Sequence, residues 1–202
     1  VTAALDGEHC SILMTHRPER TEDYAGRGFE LVLAGHAHGG QWRLPGLLNG
    51  LFAPDRPMTR AMFATVLYSL ADRPAVSGSS AFTDVADGSW YAPFVRWGYV
   101  QGVTAGMGDG SFAPEQSVTR QQILVMLHSF ARQYLKLTPT GAADLSIYGD
   151  GGQVADWARD AVSWAVSAGL IVPSGEGTLR PADPASRAEV AAILMKFSSL
   201  YL

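Results

Sequence analysis

Ser111-Phe-Ala-Pro-Glu-Gln-Ser-Val-Thr-Arg-Gln-Gln122 is written three times in this chain, with substitutions. It recurs as Leu51-Phe-Ala-Pro-Asp-Arg-Pro-Met-Thr-Arg-Ala-Met62 and as Thr178-Leu-Arg-Pro-Ala-Asp-Pro-Ala-Ser-Arg-Ala-Glu189. Arg60, Arg120 and Arg187 anchor the three copies. A repeat of this kind decides the architecture, because each copy is one structural unit that buries its apolar face against its neighbours. After each arginine the pattern turns helical. Ile123, Leu127, Phe130 and Tyr134, with Leu124 and Ala131 beside them, form one stripe at helix period. Thr119-x-x-Gln122 and Ser186-x-x-Glu189 read as capping boxes, whereas Thr59-x-x-Met62 keeps the cap and loses the reciprocal partner. Pro54, Pro114 and Pro181 lie in the turn that feeds each helix.

A second helix type precedes two of the three copies. Ser89-Trp-Tyr-Ala-Pro-Phe-Val-Arg-Trp-Gly-Tyr-Val-Gln-Gly102 aligns with Asp156-Trp-Ala-Arg-Asp-Ala-Val-Ser-Trp-Ala-Val-Ser-Ala-Gly169. Each ends in glycine followed by an apolar residue, a C-terminal stop signal. The loop Thr104-Ala-Gly-Met-Gly-Asp-Gly-Ser111 then leads into the capped helix. One repeat is therefore helix, glycine-rich loop, turn and capped helix, and the first copy lacks its Trp-bearing helix. The tryptophans on these helices, Trp90, Trp97, Trp157 and Trp164, are expected in the core. Asp84 and Asp150 are expected to cap or brace the first helix of their repeats. A first-turn arginine has two readings, a ligand contact or a solvated or structural partner of a nearby aspartate.

These residues resemble the S-layer homology module. Phe82-Thr-Asp-Val85, Trp90, Gly102, Gly110-Ser-Phe-Ala-Pro114 and Thr119-Arg120 match its motifs in order. Tyr148-Gly-Asp150, Trp157, Gly169, Gly177-Thr-Leu-Arg-Pro181 and Ser186-Arg-Ala-Glu189 match them again. The resemblance implies a mainly α fold, with helix-loop-helix repeats in a pseudo-threefold bundle. A partial repeat spans about residues 51–76, and further repeats span 81–137 and 147–202. It implies non-covalent anchoring of a bacterial surface protein to secondary cell-wall polysaccharide, often with a pyruvylated terminal sugar, and needs no cofactor. Arg60, Arg120 and Arg187 would then meet the glycan, since a guanidinium offers paired donors to a carboxylate and a helix start adds N–H groups and positive dipole. Gly106 and Gly108 would let backbone approach the sugar. Gln121-Gln122 and Met62 depart from the family's usual Ala-Glu, so the three grooves are not expected to bind equally.

Residues 1–50 have different chemistry. Cys10-Ser-Ile-Leu-Met-Thr15 and Phe29-Glu-Leu-Val-Leu-Ala34 read as short buried strands, each running into histidine. Thr15-His-Arg-Pro and Gly35-His-Ala-His-Gly-Gly-Gln41 resemble the C-terminal end of a calcineurin-like metallophosphoesterase, a small α/β remnant. By motif position His16, His36 and His38 would be ligands to a divalent metal (Mn, Fe or Zn). The family's other ligand motifs, which carry its aspartates and asparagine, are absent from the sequence, so a two-metal centre cannot form. The alternative function, an envelope-attached metal-dependent phosphoesterase, is accordingly inactive in this form, and no catalytic residue is assigned. A blander expectation is that the two strands have no sheet partner. Leu51-Phe-Ala-Pro-Asp55 suits both families, and the reading is that two coding sequences meet there.

Composition narrows the rest. The chain has 202 residues, 47% hydrophobic and 17% charged, with net charge −4. No basic face suits nucleic acid. Cys10 is the only cysteine, which excludes an intrachain disulfide. The longest apolar run, about Ala161 to Val172, is short of the roughly 20 residues that span a bilayer. The chain opens at Val1 with no export-signal pattern and reads as a fragment or processed product. The resemblance to the S-layer homology module, not the composition, implies a place on the bacterial cell wall or S-layer.

Overall fold

The computed structural model describes residues 12–15, 31–34, 41–43, 54–78, 82–141, 143–173 and 175–202. The chain divides into two compact units, Val1–Arg56 and Pro57–Leu202. In the first, β1 (Ile12–Thr15) pairs in parallel with β2 (Leu31–Ala34), and β3 (Gln41–Arg43) adds antiparallel to β2. The strands expected to lack a partner thus pair with each other. The third strand, inside a glycine- and histidine-rich stretch, carries no period-2 signal long enough to read.

The second unit is mainly helical. Its capped helices are α1 (Arg60–Leu70), α3 (Arg120–Ser129) and α5 (Arg187–Tyr201); its Trp-bearing helices are α2 (Ala92–Val100) and α4 (Arg159–Ser167). Both capping boxes form, at Thr119/Gln122 and Ser186/Glu189, and Thr59 accepts only from the Met62 amide. Gly102 and Gly169 end α2 and α4 with φ of +69° each. Val103 N–H then returns to Gly98 O at 2.8 Å and Leu170 N–H to Ala165 O at 2.9 Å, closing a Schellman turn that glycine permits without strain. The second copy's stripe runs on past α3 as a π-helical turn, Phe130–Tyr134, rather than as continuous α-helix. That turn stacks Phe130 on Tyr134 at 5.4 Å, with both rings against Trp97.

Short extended segments just before the capped helices meet in a closed ring. Met58 N–H donates to Ala185 O (3.0 Å), Ala185 N–H to Val118 O (2.9 Å) and Val118 N–H to Met58 O (2.9 Å). All three residues are buried and occupy the same place in each copy, two before the anchor arginine. The first two amides of α1 donate to Gln116 O and Pro114 O in the next copy's turn, and those of α3 to Asp183 O and Pro181 O. Helix-start donors that have no intrahelical partner are thereby satisfied by the neighbouring copy.

The core holds Trp97, Trp164, Phe63, Phe112, Phe130 and Phe197. Trp97 and Trp164 take their expected places, 2% and 1% exposed, but Trp90 and Trp157 do not, at 53% and 59%. Those two precede the start of α2 and α4, Trp90 in a turn and Trp157 in the 3₁₀ turn Asp156–Ala158, outside the period of about 3.6 residues that would carry them inward. Trp164→Ala should therefore cost about 3–5 kcal/mol in chemical denaturation, while Trp157→Ala should stay within about 0.5 kcal/mol.

Candidate functional site

Arg60 and Arg120 stand at the first position of α1 and α3, yet both are buried. Arg60 Nε donates to Phe112 O at 2.7 Å, and its guanidinium carbon sits 4.8 Å from the Phe112 ring centroid. Arg120 Nε makes the same bond one copy on, to Leu179 O at 2.9 Å, and its Nη1 pairs with Glu189 at 2.8 Å. Each arginine thus grips the turn of the following repeat. Burial pushes the Arg60 guanidinium below its ordinary value, opposed by Asp84. Burial does the same to Arg120, opposed chiefly by Glu189. Partial burial raises Glu189, but the Ser186 amide and hydroxyl with Arg120 and Arg180 outweigh it and hold the carboxyl below its usual range.

The aspartates clasp the same turns from the other side. Asp84 accepts from Phe112 N–H (2.8 Å) and Ala113 N–H (2.7 Å). Asp150 accepts from Leu179 N–H (2.7 Å) and Arg180 N–H (2.6 Å). Two successive amides converging on one carboxylate make a backbone nest. Ala113 and Arg180 adopt left-handed φ of +56° and +52°, unusual for residues with a Cβ and held here by the aspartates. Asp84 and Asp150 are therefore braces, as expected of them, but of the turn before the second helix rather than of the first helix. Spacing hides this, because partners 28 to 30 residues apart leave no local signature.

Arg187, the third anchor, is differently placed. It is half-buried, its Nη2 lies 3.8 Å from Met62 Sδ, and its Nε is shielded from solvent with no hydrogen-bond partner among the described residues. The first copy's counterpart of Phe112 and Leu179 is Phe52, which lies outside the described residues.

The glycines also separate. Gly106 has φ +76°, and a Cβ there would meet Phe82 Cε1 and Ser111 O at 2.5 Å, so the loop's own packing requires glycine. Gly108, at φ +96°, faces open space. Asp109 ties the loop shut by accepting from Ser111 N–H and Oγ–H at 2.9 and 2.6 Å. The exposed indoles of Trp90 and Trp157 complete the inventory. They are the surface residues that the helical stripe misassigned, and their positions just before a helix start were the available signal.

His16, His36 and His38 lie outside the described residues. Among the described residues no cluster of His, Cys, Asp or Glu could hold a metal ion. No described helix is long and apolar enough to cross a membrane.

Residues 81–124 and 147–191 match the S-layer homology domain family. These two stretches are S-layer homology domains. Their boundaries take in Asp84 with α2 and the turn at Phe112 and Ala113, and Asp150 with α4 and the turn at Leu179 and Arg180, so each contains one clasp described above. Over 166 residues the chain is 30% identical to cell surface glycoprotein 1 of Acetivibrio thermocellus, covering 78% of this chain and 7% of that protein. It is 27% identical over 155 residues to the cellulosome-anchoring protein of the same organism, covering 75% of this chain and 34% of that protein. It is 27% identical over 157 residues to the surface-layer 125 kDa protein of Lysinibacillus sphaericus, covering 76% and 13%. The chain thus spans a small part of these relatives' length. The S-layer homology domains and the S-layer relatives indicate a cell-surface or S-layer protein.

One titration follows from the packing. His128 lies 5.2 Å from the Trp164 ring, and partial burial together with Arg132 pushes its imidazole below the ordinary value, Asp160 opposing. The unfolded chain then takes up this proton first, so stability falls as pH drops from about 6.5 through the lower folded value. Thermal unfolding followed between about pH 7 and 5 should show that slope. It should flatten in His128→Gln.

Proposed function

We propose that the protein anchors itself non-covalently to the bacterial cell wall by binding secondary cell-wall polysaccharide, with the three copies arranged as a pseudo-threefold bundle about the Met58–Val118–Ala185 ring. The observation that carries the glycan reading is the pair of exposed indoles, Trp90 and Trp157, at matching places in two domains whose other tryptophans are buried. A large exposed aromatic face suits the apolar face of a sugar ring. Gly108, open to solvent on the adjoining loop segment of its repeat, leaves room for backbone to approach.

An anionic substituent such as a pyruvyl ketal is met, in this reading, first by Arg187. Among the described residues its guanidinium is the one of the three anchors with no carbonyl of a following turn bonded to it, and it stands at a helix start where N–H groups and dipole favour an anion. Arg60 and Arg120 contribute by holding neighbouring repeats in register, so that Arg60, Arg120, Arg187, Gly106 and Gly108 all belong to the binding apparatus but in different parts. Charge agrees with a selective contact rather than a general polyanion surface, since the net value is −4.

The second reading, a phosphoesterase-derived segment at the N-terminus, is favoured by one feature. β1 and β2 are parallel and in register at Thr15 and Ala34, immediately before His16 and Gly35-His36. Three imidazoles suit a single Zn²⁺ at most and not a two-metal centre. Metal analysis and phosphodiester turnover in Mn²⁺, with His36→Ala as control, test it. No metal and no turnover would remove it.

For the main reading, the protein should co-sediment with purified wall sacculi and lose that binding when the polysaccharide is stripped. Equal binding to stripped walls would overturn it. Arg187→Ala should weaken binding at least about tenfold with Tm unchanged, and Trp90→Ala with Trp157→Ala should do likewise. Arg120→Ala should instead destabilise the fold by about 1–3 kcal/mol, because it leaves the buried Leu179 carbonyl without this donor and removes one of the two arginines paired with Glu189.

A further inference from the structure

Each Trp-bearing helix is wedged between two capped helices. The residue eight places after the anchor arginine receives it from one side. Tyr68 of α1 meets Trp97 edge-on at 5.6 Å and Phe94 at 4.9 Å, and His128 of α3 meets Trp164 at 5.2 Å. From the other side Trp97 packs on Phe130 and Tyr134, and Trp164 on Phe197 and Tyr201. So α2 lies between α1 and α3, and α4 between α3 and α5.

The residue eight places after Arg187 is Met195, and it is 65% exposed. Beside it on the same helical face Ala188 and Ala192 are exposed, where their counterparts Ala61 and Thr65 in α1 are fully buried. Among the described residues no Trp-bearing helix is seated on this face of α5. The face continues, one step round the ring, the interface that α1 makes with α2 and α3 with α4. Its composition suits the same guest: small residues permit close approach, and a thioether packs well against an indole edge. The chain's own sequence before α1 does not offer that guest. Of its five tryptophans, four belong to the α2 and α4 segments, and Trp42 lies in β3.

We propose that the exposed Ala188–Ala192–Met195 face of α5 is a docking site for a Trp-bearing helix of the α2 and α4 type, supplied by a different S-layer homology-type chain and not by a second copy of this one, whose α2 and α4 are already wedged in place. Docking would place its tryptophan against Met195, as Trp97 lies against Tyr68. Two protein chains on the wall would then be joined by an element each repeat already uses internally.

The test uses the full chain and a fluorescent peptide with the sequence of residues 88–103, read by anisotropy with no polysaccharide present. Its outcome is thereby independent of wall binding. Saturable one-to-one binding is expected, weakened at least about tenfold by Met195→Asp or Ala192→Arg in the protein and by Trp97→Ala in the peptide. Met195 and Ala192 are exposed, so both variants should keep the wild-type circular dichroism and Tm. No saturable binding, or binding unaffected by Met195→Asp, would overturn the proposal. So would sedimentation velocity showing a homodimer that Met195→Asp dissolves, since a second copy would then cover the face.

Discussion

Three amide hydrogen bonds, closed head to tail through Met58, Val118 and Ala185, hold the helical unit together. Backbone groups buried at the meeting point of three segments need partners, and each segment supplies one donor and one acceptor to its neighbours. Once that ring closes, α1 and α3 each start beside the turn of the next copy. The free amides at the starts of α1 and α3 are then satisfied there, and the anchor arginines of those helices reach the same turns. Burying a guanidinium is costly unless its donors are met. Here the carbonyls of Phe112 and Leu179 meet them, while Asp84 and Asp150 hold those same peptides by their N–H groups.

This arrangement splits two residue types that look uniform in the sequence. Tryptophans inside α2 and α4 are structural, wedged among Tyr, Phe and His rings, whereas those just before the helices stand in solvent. Two arginines are clamps and one is less engaged. Gly106 answers to packing, and Gly108 has nothing near it. Function in such a domain falls to the members of each set that the fold does not consume.

Much of the helical unit was legible in the sequence, because its signals are local. Capping boxes and terminal glycines each act within one turn and appear where the residues put them, and the apolar stripe follows the α-helix up to Ser129 before the π-helical turn. The aspartate braces and the arginine-to-carbonyl bonds were not legible, since they join residues 28 to 59 apart and depend on the ring having closed. The exposed tryptophans were misread for a related reason. A periodic rule applies only inside a helix, and Trp90 and Trp157 fall just before the helix starts. The strand pairing of β1 with β2 was missed because neither strand names its partner. Short apolar runs specify burial but not register.

The closed ring also limits how the gene can change. Each of its three positions is already bonded on both sides, so a further copy could enter this ring only by breaking one of its bonds. What sets the number of copies in the ring is hydrogen bonding rather than length. Change has to come by substitution within copies, as in the drift from Tyr68 to His128 to Met195, or by replacing what lies outside the ring.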